Sequence, residues 1–166
     1  MEEKGTRLEI MKEYVDIEYH KIGDPLEKRC AFIHSYGVSF CCTMIAAKRG
    51  ANIELAAMAG LLHDFYLYCN ANDPNRTFTD HGRLGSIFTS EALNKWQLTT
   101  PEETDLICGA IRNHSDKTKV DTAFDEVLKD ADLIQKCLYD IDLTPHETYK
   151  ERYAKLIEEF GLLHLR

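Results

Sequence analysis

Two side chains with metal-binding chemistry stand side by side at His63-Asp64, at the end of an apolar, small-residue run from Leu55 to Leu62. An imidazole nitrogen and a carboxylate oxygen at one point can bind one divalent cation, or the carboxylate can bridge two. Alone, the pair is a weak signal, because a packed core histidine beside a solvated aspartate gives the same dipeptide. Other residues change the balance. His34, His81 and His114 each fall near an apolar helical face, and so does one of Asp130 and Asp132, which flank the same stripe. Burying that many polar groups without a partner costs several kcal/mol, and a shared cation is the simplest partner.

The elements that must position these residues read as helices throughout. Asp24-Pro25, Thr100-Pro101 and Thr144-Pro145 each place a capping side chain before a proline suited to the first helical position. No alternating run bounded by tight turns suggests a strand. A first helix is expected from Thr6 to Ile22, with Leu8, Met11, Val15 and Tyr19 inward. A second runs from Pro25 to Arg49 and stops at Gly50. Its apolar stripe of Leu26, Cys30, Ile33, Gly37, Phe40 and Met44 is expected to be buried, with His34 at the edge of that face. The third covers Ile53 to Phe65 and delivers the His-Asp pair. Asn70 to Thr79 is rich in Asn, Asp and Pro and reads as a loop that could wall a pocket. Asp80 then caps a fourth helix, with His81 in its first turn.

A fifth helix from Pro101 to Asn113 aligns Ile107, Ala110, Ile111 and His114. A sixth from Thr122 to Tyr139 turns Phe124, Val127, Leu128, Ala131, Ile134 and Leu138 inward. The last begins at Pro145 and buries Tyr149, Tyr153, Leu156 and Phe160. The expected architecture is an all-α, single-domain bundle of about six to seven helices over residues 1–166. Its motif-bearing core is about 25–140, with flanking helices 6–22 and 145–162.

Composition restricts the partners. The formal net charge of −8, with Lys and Arg scattered, argues against binding long nucleic acid through its phosphates. A small phosphorylated molecule stays compatible, because metal ions can supply positive charge locally. The six cysteines contain no Cys-x-x-Cys pair, and they read as reduced, mostly buried thiols of a cytoplasmic protein. Met1 to Gly5 lacks the apolar core of a signal peptide, and no apolar stretch approaches the ~20 residues of a membrane span. His20, His146 and His164 lie in polar or terminal context and read as surface residues. No oligomeric state is indicated.

The ordered set His34-Ser35-x-x-Val38, Leu62-His63-Asp64, His81, Ala110-Ile111-Arg112-Asn113-His114 and Ala131-Asp132-x-Ile134 resembles the HD-domain metal-dependent phosphohydrolase superfamily over about Arg29 to Leu138. The resemblance implies a helical bundle of the HD-domain type. It also implies two divalent metal sites, the first on His34, His63, Asp64 and Asp132. The second would be on His81 and His114, with Asp64 bridging. The Ala-Asp-x-Ile match selects Asp132 over Asp130, which then becomes a candidate to orient a ligand histidine. Iron, manganese, cobalt or nickel would suit such ligands.

Many relatives carry a lysine three residues after the dyad aspartate, where this chain has Leu67. A phosphate-binding cation would then come from Arg76, Arg83, Arg112, Lys117 or Lys129. Lys117, in what reads as an open loop after His114, is preferred. Asp64, His63 and Lys117 are the residues expected to carry catalysis. The implied activity is hydrolysis of a small phosphorylated substrate, such as a nucleotide, by a metal-activated hydroxide. The same ligand order also suits a di-iron oxygenase of the inositol-oxygenase type, or a non-catalytic metal-binding sensor or scaffold.

Overall fold

Helix-capping chemistry accounts for most of the element boundaries in the computed structural model, which describes residues 6–140 and 142–162. Thr6 caps α1 (Arg7–His20) and Asp24 caps α2 (Pro25–Arg49), each accepting a backbone N–H. Asn52 does the same for α3 (Ile53–Leu62). The five-residue α4 (Phe65–Cys69) follows the His-Asp pair directly. Then come α5 (His81–Trp96), α6 (Pro101–Asn113), α7 (Ala123–Tyr139), a 3-10 turn at Glu147–Tyr149 and α8 (Lys150–Glu159). Thr100 and Thr122 open α6 and α7 with reciprocal capping boxes, closed by Glu103 and Asp125. Gly50 ends α2 in the left-handed region at φ 71°, which a glycine adopts without strain. No strand occurs among the described residues. The all-α expectation therefore holds, with seven helices of ten residues or more and the short α4 besides.

Several boundaries differ from those expected. α3 stops at Leu62, so His63 and Asp64 sit in a turn between two helices and do not end one long helix. Asp80 makes no side-chain cap; its carboxylate pairs with Arg83 at 2.6 Å. Pro145 does not begin α8, which starts five residues later, after the 3-10 turn. Leu156 and Ile157 are the buried pair of α8, while Tyr149, Tyr153 and Phe160 are only partly covered.

The largest correction concerns α2. Its buried face is Ala31, Ser35, Val38, Cys41, Cys42, Ile45 and Ala46, packed against α3 and α7. Leu26, Phe40 and Met44, expected inside, are 63%, 66% and 39% exposed. Both faces of α2 are apolar, and periodicity cannot rank two apolar faces. The helix is also long and apolar enough, by length and composition, to cross a membrane, against the expectation that no stretch approaches one. Here it is the central helix of the bundle, and that position requires an apolar inner face. Cys41, Cys42, Cys108 and Cys137 are buried, Cys69 is half-buried and Cys30 is exposed, all as free thiols. His20 and His146 are exposed as expected. His164 and Met1 to Gly5 lie outside the described residues.

Two glycines set the spacing on which the site depends. A Cβ on Gly60 would lie 2.7 Å from the Ser39 Cα, so α3 rests directly on the α2 backbone. A Cβ on Gly82 would lie 2.7 Å from the Arg112 carbonyl oxygen, so the start of α5 rests on the end of α6. These contacts carry His63 toward His34 and His81 toward His114.

An ionic network ties α8 to the bundle. Asp130 receives Arg49 and Arg152, both at 2.7 Å, and those arginines also bind Glu159 and Glu126. Burial works against the Glu126 carboxylate, but the Asp121 amide and Arg152 outweigh it and lower its pKa. Arg49 lowers that of Glu159. A carboxylate with a lower pKa folded than unfolded adds stability above its unfolded value of about 4.3, and that stability is lost as pH falls through the folded value. Asp130→Asn removes the buried carboxylate charge that Arg49 and Arg152 share, and it is expected to destabilise the fold by about 3 kcal/mol in urea unfolding at neutral pH. The wild type should lose stability steadily on acidification below about pH 5.

Candidate metal centre

Every ligand candidate is delivered by a different part of the bundle: His34 by α2, the His63-Asp64 pair by the turn after α3, and His81 by the first residue of α5. His114 comes from the end of α6 and Asp132 from the middle of α7. The structure brings all six together. His34 Nε2 lies 3.0 Å from His63 Nε2, and His81 Nε2 lies 3.1 Å from His114 Nε2. Asp64 stands between the two pairs. Its Oδ2 is 3.5 Å from His34 and 3.3 Å from His63, and its Oδ1 is 3.7 Å from His81 and 3.6 Å from His114. Asp132 Oδ1 completes the first group, 3.3 Å from His34 and 3.9 Å from His63.

The second nitrogen of each imidazole explains why this arrangement suits a cation. His63 Nδ1 meets the Gly60 carbonyl at 2.8 Å, His81 Nδ1 that of Phe78 at 2.7 Å, and His114 Nδ1 that of Ile111 at 2.6 Å. His34 Nδ1 meets Gln135 Oε1 at 2.8 Å. A carbonyl oxygen only accepts, so each Nδ1 carries a proton, and Nε2 is the ring nitrogen left to face a cation. Lone pairs facing at about 3 Å repel unless a proton or a metal ion lies between them. Ligands held about 2.1 Å from one ion sit about 3.0–3.5 Å from each other, and the separations here run from 3.0 to 3.9 Å. Two carboxylate oxygens point the same way. Asp64 Oδ1 and Asp132 Oδ1 are buried and make no hydrogen bond, although Lys136 Nζ approaches the latter to 3.0 Å. His34, His63 and Asp132, and separately His63, Asp64 and His114, are close enough to hold an ion.

The electrostatics agree. Burial disfavours the His34 imidazolium, but hydrogen bonds and charge from Asp132 and Asp64 outweigh it and raise the pKa to about 9. The carboxylates that favour a proton there would equally favour a metal ion. Burial alone would raise the pKa of Asp64, yet His63, His114 and His34 hold it well below the usual range. Asp132 is likewise held low against burial, chiefly by Lys117.

Several expectations need correcting. Asp130 orients no histidine; it binds Arg49 and Arg152. The orienting groups are three backbone carbonyls and Gln135, which sits one helical turn after Asp132. Lys117 is not in an open loop. Its side chain is 8% exposed and donates to Asp132 Oδ2 at 2.6 Å and to the His114 carbonyl at 3.1 Å. Lys129 is fully buried on Asp121, and Arg83 pairs with Asp80. Arg76 donates to the Leu67 carbonyl and pairs with Glu27, while Arg112 is exposed.

Lys136 was missed, although its place four residues after Asp132 puts it on the same helical face. Beside His34, a cavity of about 280 Å³ is lined by Cys30, Ile33, Gln135, Lys136, Tyr139 and Leu143 among others.

Comparison with known proteins bears on this arrangement. The family model described as HD domain matches residues 31–137, a span containing all six residues. A crystal structure of a predicted HD superfamily hydrolase from an uncultured Thermotogales bacterium is similar in fold, with a TM-score of 0.61 at 20% identity. The match covers 96% of this chain and 92% of that one. No curated protein matches the chain.

Gln135 offers a test of the centre that leaves every ligand candidate in place. Gln135→Leu removes the acceptor that fixes the His34 tautomer, and it is expected to weaken divalent-metal affinity about 10–100-fold, read by competition with a chelating dye. Thermal stability without metal should change little.

Proposed function

The chain belongs to the HD-domain family, and from that premise we propose that it is a metal-dependent phosphohydrolase holding two divalent ions and acting on a small phosphorylated molecule. The observation that carries this reading is the convergence of four imidazole Nε2 atoms on the two oxygens of Asp64. His34, His63, Asp64 and Asp132 would hold one ion, and His81, His114 and the other Asp64 oxygen the second. When bound, two such ions supply Lewis-acid charge to the phosphoryl oxygens and lower the pKa of the attacking water toward about 7.

The protein's own residues do the rest. The carbonyls of Gly60, Phe78 and Ile111, with Gln135, fix the rings so that no reorganisation is needed as charge develops. Lys117 and Lys136 both reach Asp132, and Lys136 also lines the cavity beside His34. From there their ammonium groups can neutralise a substrate phosphate, in place of the lysine that Leu67 lacks. Lys117 is held rigidly by two acceptors, and Lys136 is half-exposed and free to follow the substrate. The cavity, walled by Ile33, Tyr139 and Leu143, has room for the leaving group.

Metal analysis of protein purified without added metal, followed by a screen of phosphomonoesters and nucleotides, tests the proposal. Wild type should hold two ions per chain. His81→Ala and His114→Ala should each hold one and lose most activity, and Asp64→Ala should lose both ions and more than about a hundredfold in rate. One ion in all these proteins with unchanged turnover would refute the two-ion centre. Iron with dioxygen consumption and no phosphate release would refute the hydrolase. Lys136→Met should raise KM for the phosphorylated substrate about tenfold with metal content unchanged, as expected for a lost phosphate contact.

A further inference from the structure

We propose that Arg152 of α8 is a positioning residue, which fixes the loop between α6 and α7 so that the Lys117 ammonium stays on Asp132. The role given to Lys117, neutralising a substrate phosphate, rests on the hydrolase reading above. The chain of contacts is short. Lys117 Nζ donates to Asp132 Oδ2 at 2.6 Å, which leaves Oδ1, the oxygen beside His34 and His63, for a cation. Arg152 Nε in turn donates to the Lys117 carbonyl at 3.1 Å, and its Nη2 reaches the Lys119 carbonyl at 3.4 Å. A helix at the edge of the bundle thereby acts on the metal centre through one loop.

Neither the backbone nor apolar packing holds that loop in place. Among the described residues, 116–121 make no backbone–backbone hydrogen bond. Val120 is 82% exposed, and a cavity of about 530 Å³ lies between the loop and α8, lined by Lys117, Thr118, Val120, Arg152 and Leu156 among others. Side-chain donors from α7 and α8 hold it instead. The acids that Arg152 binds do not by themselves require it, because each has a second cation: Asp130 keeps Arg49 at 2.7 Å, and Glu126 keeps Lys129 at 3.3 Å. The Lys119 carbonyl also receives Lys129 Nζ, at 3.0 Å. What Arg152 alone supplies is the donor to the Lys117 carbonyl. A guanidinium suits the place, because its planar fork sends Nη1 and Nη2 to Asp130 and Glu126 while Nε stays on the loop. An ammonium is a single point and cannot span those partners. Arg152→Lys therefore keeps the charge and loses the hold on the loop. Lys117, on a flexible four-carbon stem, then has no fixed backbone from which to reach Asp132.

Acetylation of the lysines with acetic anhydride, read by peptide mass spectrometry, reports whether Lys117 is held and needs no turnover. In Arg152→Lys the rate at Lys117 should rise about tenfold, as for a protected group that opens locally, while the fully buried Lys129 labels as in wild type. Titration calorimetry of the metal-loaded protein with inorganic phosphate reports the consequence. Arg152→Lys should weaken phosphate binding about tenfold with metal content unchanged, and it should add nothing in a Lys117→Met background, because the two residues act as one unit. Arg152→Gln is the second variant, should Arg152→Lys fail to fold. Unchanged labelling of Lys117 would overturn the proposal. So would a rise shared by Lys129, which marks general loosening of the fold, or a loss of phosphate affinity that persists in full in the Lys117→Met background. Raised labelling of Lys117 alone, in a chain that releases phosphate from no ester, would refute the hydrolase and leave the positioning role of Arg152 standing.

Discussion

Asp64 is the group on which the rest of the site depends. Its two oxygens face four imidazole nitrogens at 3.3–3.7 Å, two on each side. Each imidazole has committed its Nδ1 proton to an acceptor, so Nε2 is the nitrogen it turns toward Asp64. Six electron-rich atoms around one point do not hold together by themselves. Protons can relieve the repulsion in part, and His34 between Asp64 and Asp132 is where one is favoured, with its pKa raised to about 9. A cation relieves it fully. Metal affinity and local stability are therefore linked here.

This constraint extends to the backbone. The carbonyls that fix His63 and His114 belong to the last turns of α3 and α6, three residues before each ring. Such carbonyls have no partner within their own helix, and a ring proton satisfies them. The histidines thus end their helices and are oriented by them at once. Close approach at Gly60 and Gly82 lets those helix ends meet the neighbours that carry His34 and His81. A larger side chain at either position would leave the ligands in place along the chain and separate them in space.

Lys117 and Lys136 introduce a second balance. Together with Asp64 and Asp132 they make a set of two acids and two bases around the histidines. Under the proposed function, metal bound to that set would leave the cleft positive in a chain whose net charge is −8, a combination that would favour a small anion entering a cleft.

The sequence by itself determined the helices, most of their capped starts and the identity of the ligand candidates. These are local matters: a Thr or Asp before a proline caps a helix whatever surrounds it, and a histidine that continues an apolar stripe turns inward, as His114 does. The order of the motifs was legible for the same reason, since the family's HD domain is matched along the chain at residues 31–137. Only the tertiary structure decided which face of α2 is covered, because Ala31, Val38, Cys42 and Ile45 are no more apolar than Leu26, Phe40 and Met44; packing against α3 and α7 made the choice. The motif match already favoured Asp132 over Asp130, and the structure supplies the physical reason. Both flank one stripe of α7, and the difference is that Arg49 and Arg152 lie on one side and His34 on the other. From its place after His114, Lys117 reads as a phosphate-binding cation in an open loop, yet its partner Asp132 is fifteen residues away on another element. Contacts of that kind depend on how helices cross, and no local pattern of residues encodes the crossing.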